Sequence, residues 1–115
     1  MKHSYLLIIL IISSMSYGQI SFIKTQELAN FSLDVTVFDK ENDGDLDIFF
    51  GKFNSGAPLW ENNSQGSFTN LGLFGNTLAR KVLSFDIDGD NDIDLVTLTD
   101  GADSDVLEND GMGNY

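Results

Sequence analysis

Asp86-Ile87-Asp88-Gly89-Asp90-Asn91-Asp92-Ile93-Asp94 puts five carboxylates on alternate residues, and Asp39-Lys40-Glu41-Asn42-Asp43-Gly44-Asp45-Leu46-Asp47 does the same 47 residues earlier. Hard oxygen ligands on alternate positions can wrap one divalent cation, as calcium loops do. The sixth position of such a loop turns sharply and favours a left-handed backbone. Gly44 meets that need without steric cost, and Asn91 is the best substitute. Five carboxylates this close repel one another, so without a cation each loop is expected to fray or take up protons. Asp39, Glu41, Asp43 and Asp47 are therefore candidate side-chain ligands of one ion, and Asp86, Asp88, Asp90 and Asp94 of a second. Asp45 and Asp92 complete the candidate metal set at position seven. The backbone carbonyl serves there, and their side chains are expected to face solvent. An EF-hand would need a glutamate at position twelve and flanking helices. That position holds Phe50 and Thr97, and the flanks read as strands. Magnesium prefers octahedral geometry with several waters, so this many carboxylates fits calcium better.

The 47-residue offset extends well beyond the acids. It carries Val35 to Val82, Phe38 to Phe85, Glu61 to Glu108, Asn62 to Asn109 and Gly66 to Gly113. Aligning 33–68 with 80–115 gives nine identities in 36 positions without a gap. One constant offset through several motifs indicates an internal duplication, and a period of this size suggests a repeat array or propeller. Two copies in register also argue against an acidic turn that holds no ion.

Each repeat reads as β-structure. Leu33 to Phe38 leads into the first loop, and Leu46 to Phe50 leaves it, matched by Ile93 to Leu98 in the second copy. These short runs are rich in β-branched and aromatic residues and are bounded by Gly, Asn and Asp. Gly51 to Gly56 is expected to turn, Ala57 to Glu61 to form a third strand and Phe68 to Phe74 a fourth. Nothing outside the N-terminal apolar run shows a helical period over ten or more residues. Four short strands per repeat match one propeller blade. Phe38 and Phe85 precede the loops and are expected in the core, as are Phe68 and Tyr115. Trp60 could serve either the core or a glycan platform, because its counterpart is Leu107. Asn62 and Asn109 resemble turn formers that cap backbone groups, and Arg80-Lys81 reads as a solvated strand end.

On these residues the chain resembles the FG-GAP/VCBS repeat proteins, bacterial relatives of the integrin α-subunit propeller. The family pattern is an apolar strand, D-x-D-x-D-G-x-x-D and a second apolar strand, here Val37-Phe38-Asp39 through Asp47-Ile48-Phe49-Phe50-Gly51. Phe50-Gly51 and Gly56-Ala57-Pro58 match the name motif; the second repeat has Thr97-Leu98 and Asp103-Ser104-Asp105 there. A later element, an apolar pair, then Asn, then G-x-F, matches Leu59-Trp60-Glu61-Asn62 and Gly66-Ser67-Phe68. It recurs as Val106-Leu107-Glu108-Asn109 and Gly113-Asn114-Tyr115. The resemblance covers about residues 22–115. It implies an all-β fold of two consecutive four-stranded propeller-type blades with calcium loops, part of an incomplete or larger β-propeller. The repeats would span about 22–68 and 69–115 within a region 19–115, with about two structural Ca²⁺ ions. Glu41 where Asp or Asn is usual, and Asn91 where Gly is usual, bear on the relative affinity of the two sites. Propellers close with four to eight blades, and two blades leave open edges that invite pairing. The expectation is a longer protein, a truncated reading frame, or several copies assembled into a ring.

Composition narrows the rest. The chain has 115 residues, a net charge of −12 and no cysteine. Disulfides, thiolate metal sites and cysteine nucleophiles are excluded. So is a basic phosphate-binding surface of the kind nucleic acid requires. A content of 42% apolar residues is too high for a solvated acidic tail. Met1-Lys2-His3-Ser4, the apolar run Tyr5 to Ile12 and the small residues Ser16 and Gly18 read as a secretory signal over 1–18, cleaved after Gly18. The apolar run is under half the ~20 residues a spanning helix needs, so no membrane span is expected after cleavage. Cleavage removes His3, the only histidine, and with it Ser-His-Asp catalysis and His-ligated zinc. A bacterial-type secreted or cell-surface protein is expected. It would be a calcium-binding module for adhesion or for an extracellular protein or polysaccharide ligand, and not an enzyme. The alternative is the non-catalytic part of a secreted polysaccharide-degrading enzyme.

Overall fold

A computed structural model describes residues 24, 26–28, 31–53, 55–75 and 78–115. The expected export signal over 1–18 lies outside the described residues. The described chain forms seven strands and no helix. They are β1 (Ser32–Phe38), β2 (Asp47–Lys52), β3 (Ala57–Asn62), β4 (Phe68–Phe74), β5 (Ala79–Phe85), β6 (Asp94–Thr99) and β7 (Asp105–Leu107). They make two antiparallel sheets, β1-β2-β3-β4 and β5-β6-β7, neither closed into a barrel.

The duplication is written into the backbone. β5 and β6 lie 47 residues on from β1 and β2 at both ends. The register break between Ser32 and Asp34 recurs between Ala79 and Lys81. Left-handed residues pair off at the same offset: Asn42 with Gly89, Gly44 with Asn91, Ser64 with Gly111 and Gly66 with Gly113. The turn after β3 closes with the Asn63 amide donating to the Ser67 carbonyl at 3.1 Å. Its counterpart runs from Asp110 to Asn114 at 3.1 Å.

Two expectations are corrected here. The second sheet has three strands, not four, because the counterpart of β4 would begin at Tyr115. The turn expected from Gly51 starts later, since β2 runs through Lys52 and Phe53 then bridges Leu78.

Alternation along the strands fixes which face is covered. Phe38, Phe49, Ala57 and Leu59 of the first sheet meet Ala79, Val82 and Leu95 of the second in one buried cluster. Partly buried Phe74, Ile93, Leu107 and Tyr115 pack around it. Polar contacts pin the two sheets together. The Thr36 and Ser84 hydroxyls share a 2.6 Å hydrogen bond, and the Val82 amide donates to Asp34 Oδ2 at 3.1 Å. A side chain at Gly51 would stand 3.0 Å from the Ala79 carbonyl oxygen, so glycine lets the sheets approach.

Phe38 is buried as expected, but Phe85 is 43% exposed and lies outside this core. Phe68, Trp60 and Tyr115 are partly buried. Arg80 is exposed as expected at a strand end. Its guanidinium nonetheless lies 5.4 Å from the Phe53 ring centroid and pairs with Asp100 at 3.1 Å.

Candidate metal centre

Each acidic loop joins the first two strands of its sheet, so its first and ninth residues sit side by side where the hairpin opens. Phe38 faces Asp47 in the register of β1 and β2, and Phe85 faces Asp94 in that of β5 and β6. Between them the loop folds around its own carboxylates. Asp39 accepts the amides of Asp43 at 3.0 Å and Gly44 at 2.8 Å. Asp86 accepts those of Gly89 at 2.6 Å and Asn91 at 3.1 Å. The left-handed φ at Gly44 and Asn91 is what turns these amides inward, as the sequence pattern required. Asp43, Asp88 and Asp90 each accept the amide two residues on, at 2.9, 3.1 and 2.9 Å.

Asp47 and Asp94 have a second duty that the sequence pattern did not reveal. Both are buried. Asp47 accepts the Lys40 amide at 2.9 Å and the Asn62 amide at 2.8 Å. Asp94 accepts the Ile87 amide at 2.8 Å and the Asn109 amide at 2.8 Å. The ninth carboxylate thus ties the start of the loop to the segment after the second hairpin, identically in both repeats. The conserved spacing from Asp47 to Asn62 and from Asp94 to Asn109 was the available signal. Asn109 caps backbone groups as expected: its Oδ1 accepts the Gly111 and Gly113 amides, and its Nδ2 donates to the Lys40 carbonyl at 3.0 Å.

Among the described residues one set of acids converges. Asp86, Asp88 and Asp94 offer carboxylate oxygens all within 4.8 Å of one another. Calcium–oxygen bonds are about 2.3–2.6 Å, so oxygens on opposite sides of one ion stand about 4.6–5.2 Å apart. The spacing and the all-oxygen donor set both fit calcium. Asp90 belongs to the same loop but not to the converging set.

The first loop differs because of Lys40, a residue the loop pattern passed over. Its side chain is buried, paired with Glu41 and, at 3.4 Å, with Glu61; its ammonium also donates to the Gly113 carbonyl at 3.4 Å. Glu41 is thereby turned to a protein cation. Ile87 holds the equivalent place in the second loop. The position-seven side chains are not free in solvent either. Asp45 accepts the Ser64 hydroxyl, and Asp92 accepts Asn42 Nδ2 at 3.3 Å.

Electrostatics mark the same places. Burial pushes the Asp47 carboxyl above its ordinary range, outweighing its backbone hydrogen bonds and the Lys40 charge. At Asp88 the Asp90 amide holds the carboxyl down. Desolvation and the charges of Asp90 and Asp94 outweigh it, and the net shift is upward. Burial, then the Asp94 and Asp47 charges, raise the Tyr115 hydroxyl, which stays protonated and donates to the Ile93 carbonyl at 2.8 Å. A divalent ion would relieve the crowding at Asp88 directly. Comparison with protein-family models, curated proteins and solved structures gives no match to this chain.

Proposed function

We propose that this chain is a secreted, calcium-stabilised repeat module of the β-propeller type. Its two sheets are successive blades, calcium at the acidic loops is structural, and the loops present a surface to an extracellular protein or polysaccharide. The observation that carries the reading is the convergence of Asp86, Asp88 and Asp94 within 4.8 Å, in a loop that recurs at a 47-residue offset. Export is supported by the pattern of residues 1–18. Asp86, Asp88, Asp90 and Asp94 would hold one ion, with Asp92 supplying its carbonyl. Asp39, Glu41, Asp43 and Asp47 would hold the other, with Asp45 in the same backbone role. The ion supplies charge neutralisation and no bond-breaking chemistry.

Calorimetric titration with calcium tests this. About two ions should bind, the second loop more tightly because Lys40 competes for Glu41 in the first. Dissociation constants of roughly 10⁻⁴–10⁻³ M are typical of extracellular modules, and magnesium should bind more weakly. Absence of any calcium binding by the folded chain would overturn the reading.

A further inference from the structure

The packing of the two sheets is asymmetric, and the 47-residue offset shows what that asymmetry leaves uncovered. The first sheet meets the second with Asp34, Thr36, Phe38, Phe49, Gly51 and Leu59. Their counterparts in the second sheet are Lys81, Leu83, Phe85, Val96, Leu98 and Val106. Leu83, Phe85, Leu98 and Val106 are all exposed, at 38–51%. The second sheet meets the first with Val82, Ser84 and Leu95. Their counterparts Val35, Val37 and Ile48 lie with Phe50 and Trp60 on the outer face of the first sheet, as the register of β1, β2 and β3 requires. Val35 and Val37 are more than half exposed. Each outer face is therefore the repeat equivalent of a face buried inside the chain, and the two are equivalents of opposite sides of one interface.

We propose that these two faces dock onto each other between copies: the outer face of β1-β2-β3 in one copy receives the outer face of β5-β6-β7 from a second. The change at the centre of the face suits that contact. Inside the chain Thr36 meets Ser84 through a hydrogen bond; between copies the equivalent pair is Leu83 with Val37, apolar on both sides. Inside the chain Asp34 accepts the Val82 amide; between copies Lys81 stands in the place of Asp34 beside Val35 and, being a donor only, does not reproduce that hydrogen bond. Gly51 lies against Ala79. Its counterpart Leu98 carries a side chain where Gly51 has none, so between copies the sheets must stand further apart at Ser32, beside a hollow of about 270 Å³ bounded by Ser32, Leu33, Asp34, Val35 and Phe50. The Asn109 amide that donates to the Lys40 carbonyl has its counterpart in Asn62, which would reach the Ile87 carbonyl of the second copy. Such an interface is head-to-tail, and it either closes a ring or continues as a filament. The inference rests on the observed sheet packing and not on the calcium reading.

The test uses the chain from Gln19 onward, with calcium present, in sedimentation velocity over a range of concentrations. The wild type should form assemblies of two or more copies. Val35→Lys and Phe85→Lys should each weaken association by ~30-fold or more, the size of an interface hot spot, while keeping the wild-type circular dichroism. An equimolar mixture of the two variants should give a 1:1 dimer and nothing larger, since each retains one good face. Val35→Glu, set opposite Lys81, should associate better than Val35→Lys. If a lysine variant fails to fold, Val37→Lys and Leu83→Lys probe the same two faces. A folded wild-type monomer would overturn the inference, as would variants that stay monomeric when mixed. A folded monomer that calcium still stabilises would contradict this inference alone. An assembly indifferent to calcium would contradict the calcium reading alone.

Discussion

At Asp47 and Asp94 a buried carboxylate has both oxygens engaged by backbone amides, one from the loop and one from Asn62 at the end of β3 or Asn109 just after β7. Hydrogen bonds to a charged acceptor contribute about 1.5–3 kcal/mol each, and leaving a buried partner unsatisfied costs about 1–3. Asp47→Asn and Asp94→Asn each put an NH₂ group against an amide. Each should lower stability by about 2–4 kcal/mol in urea unfolding without calcium. Only Asp94→Asn should also abolish binding at the tighter site. Asp88 offers a separate readout, because against the pull of the Asp90 amide its carboxyl is shifted upward by desolvation and by the charges of Asp90 and Asp94. A raised acid favours the folded chain below its ordinary value of 3.8, and that contribution is lost as pH rises through the folded value. Calcium reverses the sign, because it binds the ionised form. Carboxyl NMR titration should find Asp88 above 3.8 without calcium and below it with calcium. A midpoint that calcium does not move would show that Asp88 is not a ligand.

Strands and loops were legible because the duplication repeats their chemistry. The positions expected to start and end β1, β4 and β6 fall within a residue or two of those observed. The left-handed sixth loop position holds in both copies, although one is Gly44 and the other Asn91. The role of Lys40 was not legible. A lone lysine in an acidic run reads as a solvated charge, and its burial depends on Glu61 and Gly113, distant in sequence. The extension of β2 through Gly51 was missed for a related reason. A glycine that follows an apolar run looks like the start of a turn, whereas here its missing side chain admits the Ala79 carbonyl from the neighbouring sheet. Gly51→Val should therefore force the sheets apart and cost about 1–3 kcal/mol by overpacking. Thermal unfolding of that variant against the wild type measures it, and an unchanged melting temperature would refute the close approach.

For the whole molecule, sequence pattern foretold an all-β chain but not how much of it is covered. Phe38 and Phe85 are the same residue at the same repeat position, yet one is buried and the other 43% exposed. No local pattern could separate them, because burial at that position is decided by packing against another sheet, as Phe38 packs against the second. The charge is likewise a property of the assembled loops: ten of the 18 acids lie in two nine-residue stretches. A ligand that binds only the folded state stabilises it by about 2.7 kcal/mol when its free concentration is 100 times the dissociation constant. In a domain of 60–100 residues each kcal/mol moves the melting temperature by about 4–8 °C. Melting the chain from Gln19 onward in excess calcium and again in excess chelator is the most direct test. Calcium held structurally by the acidic loops predicts a melting temperature higher by on the order of 10 °C or more with calcium than with chelator. Two coincident melting curves would contradict it.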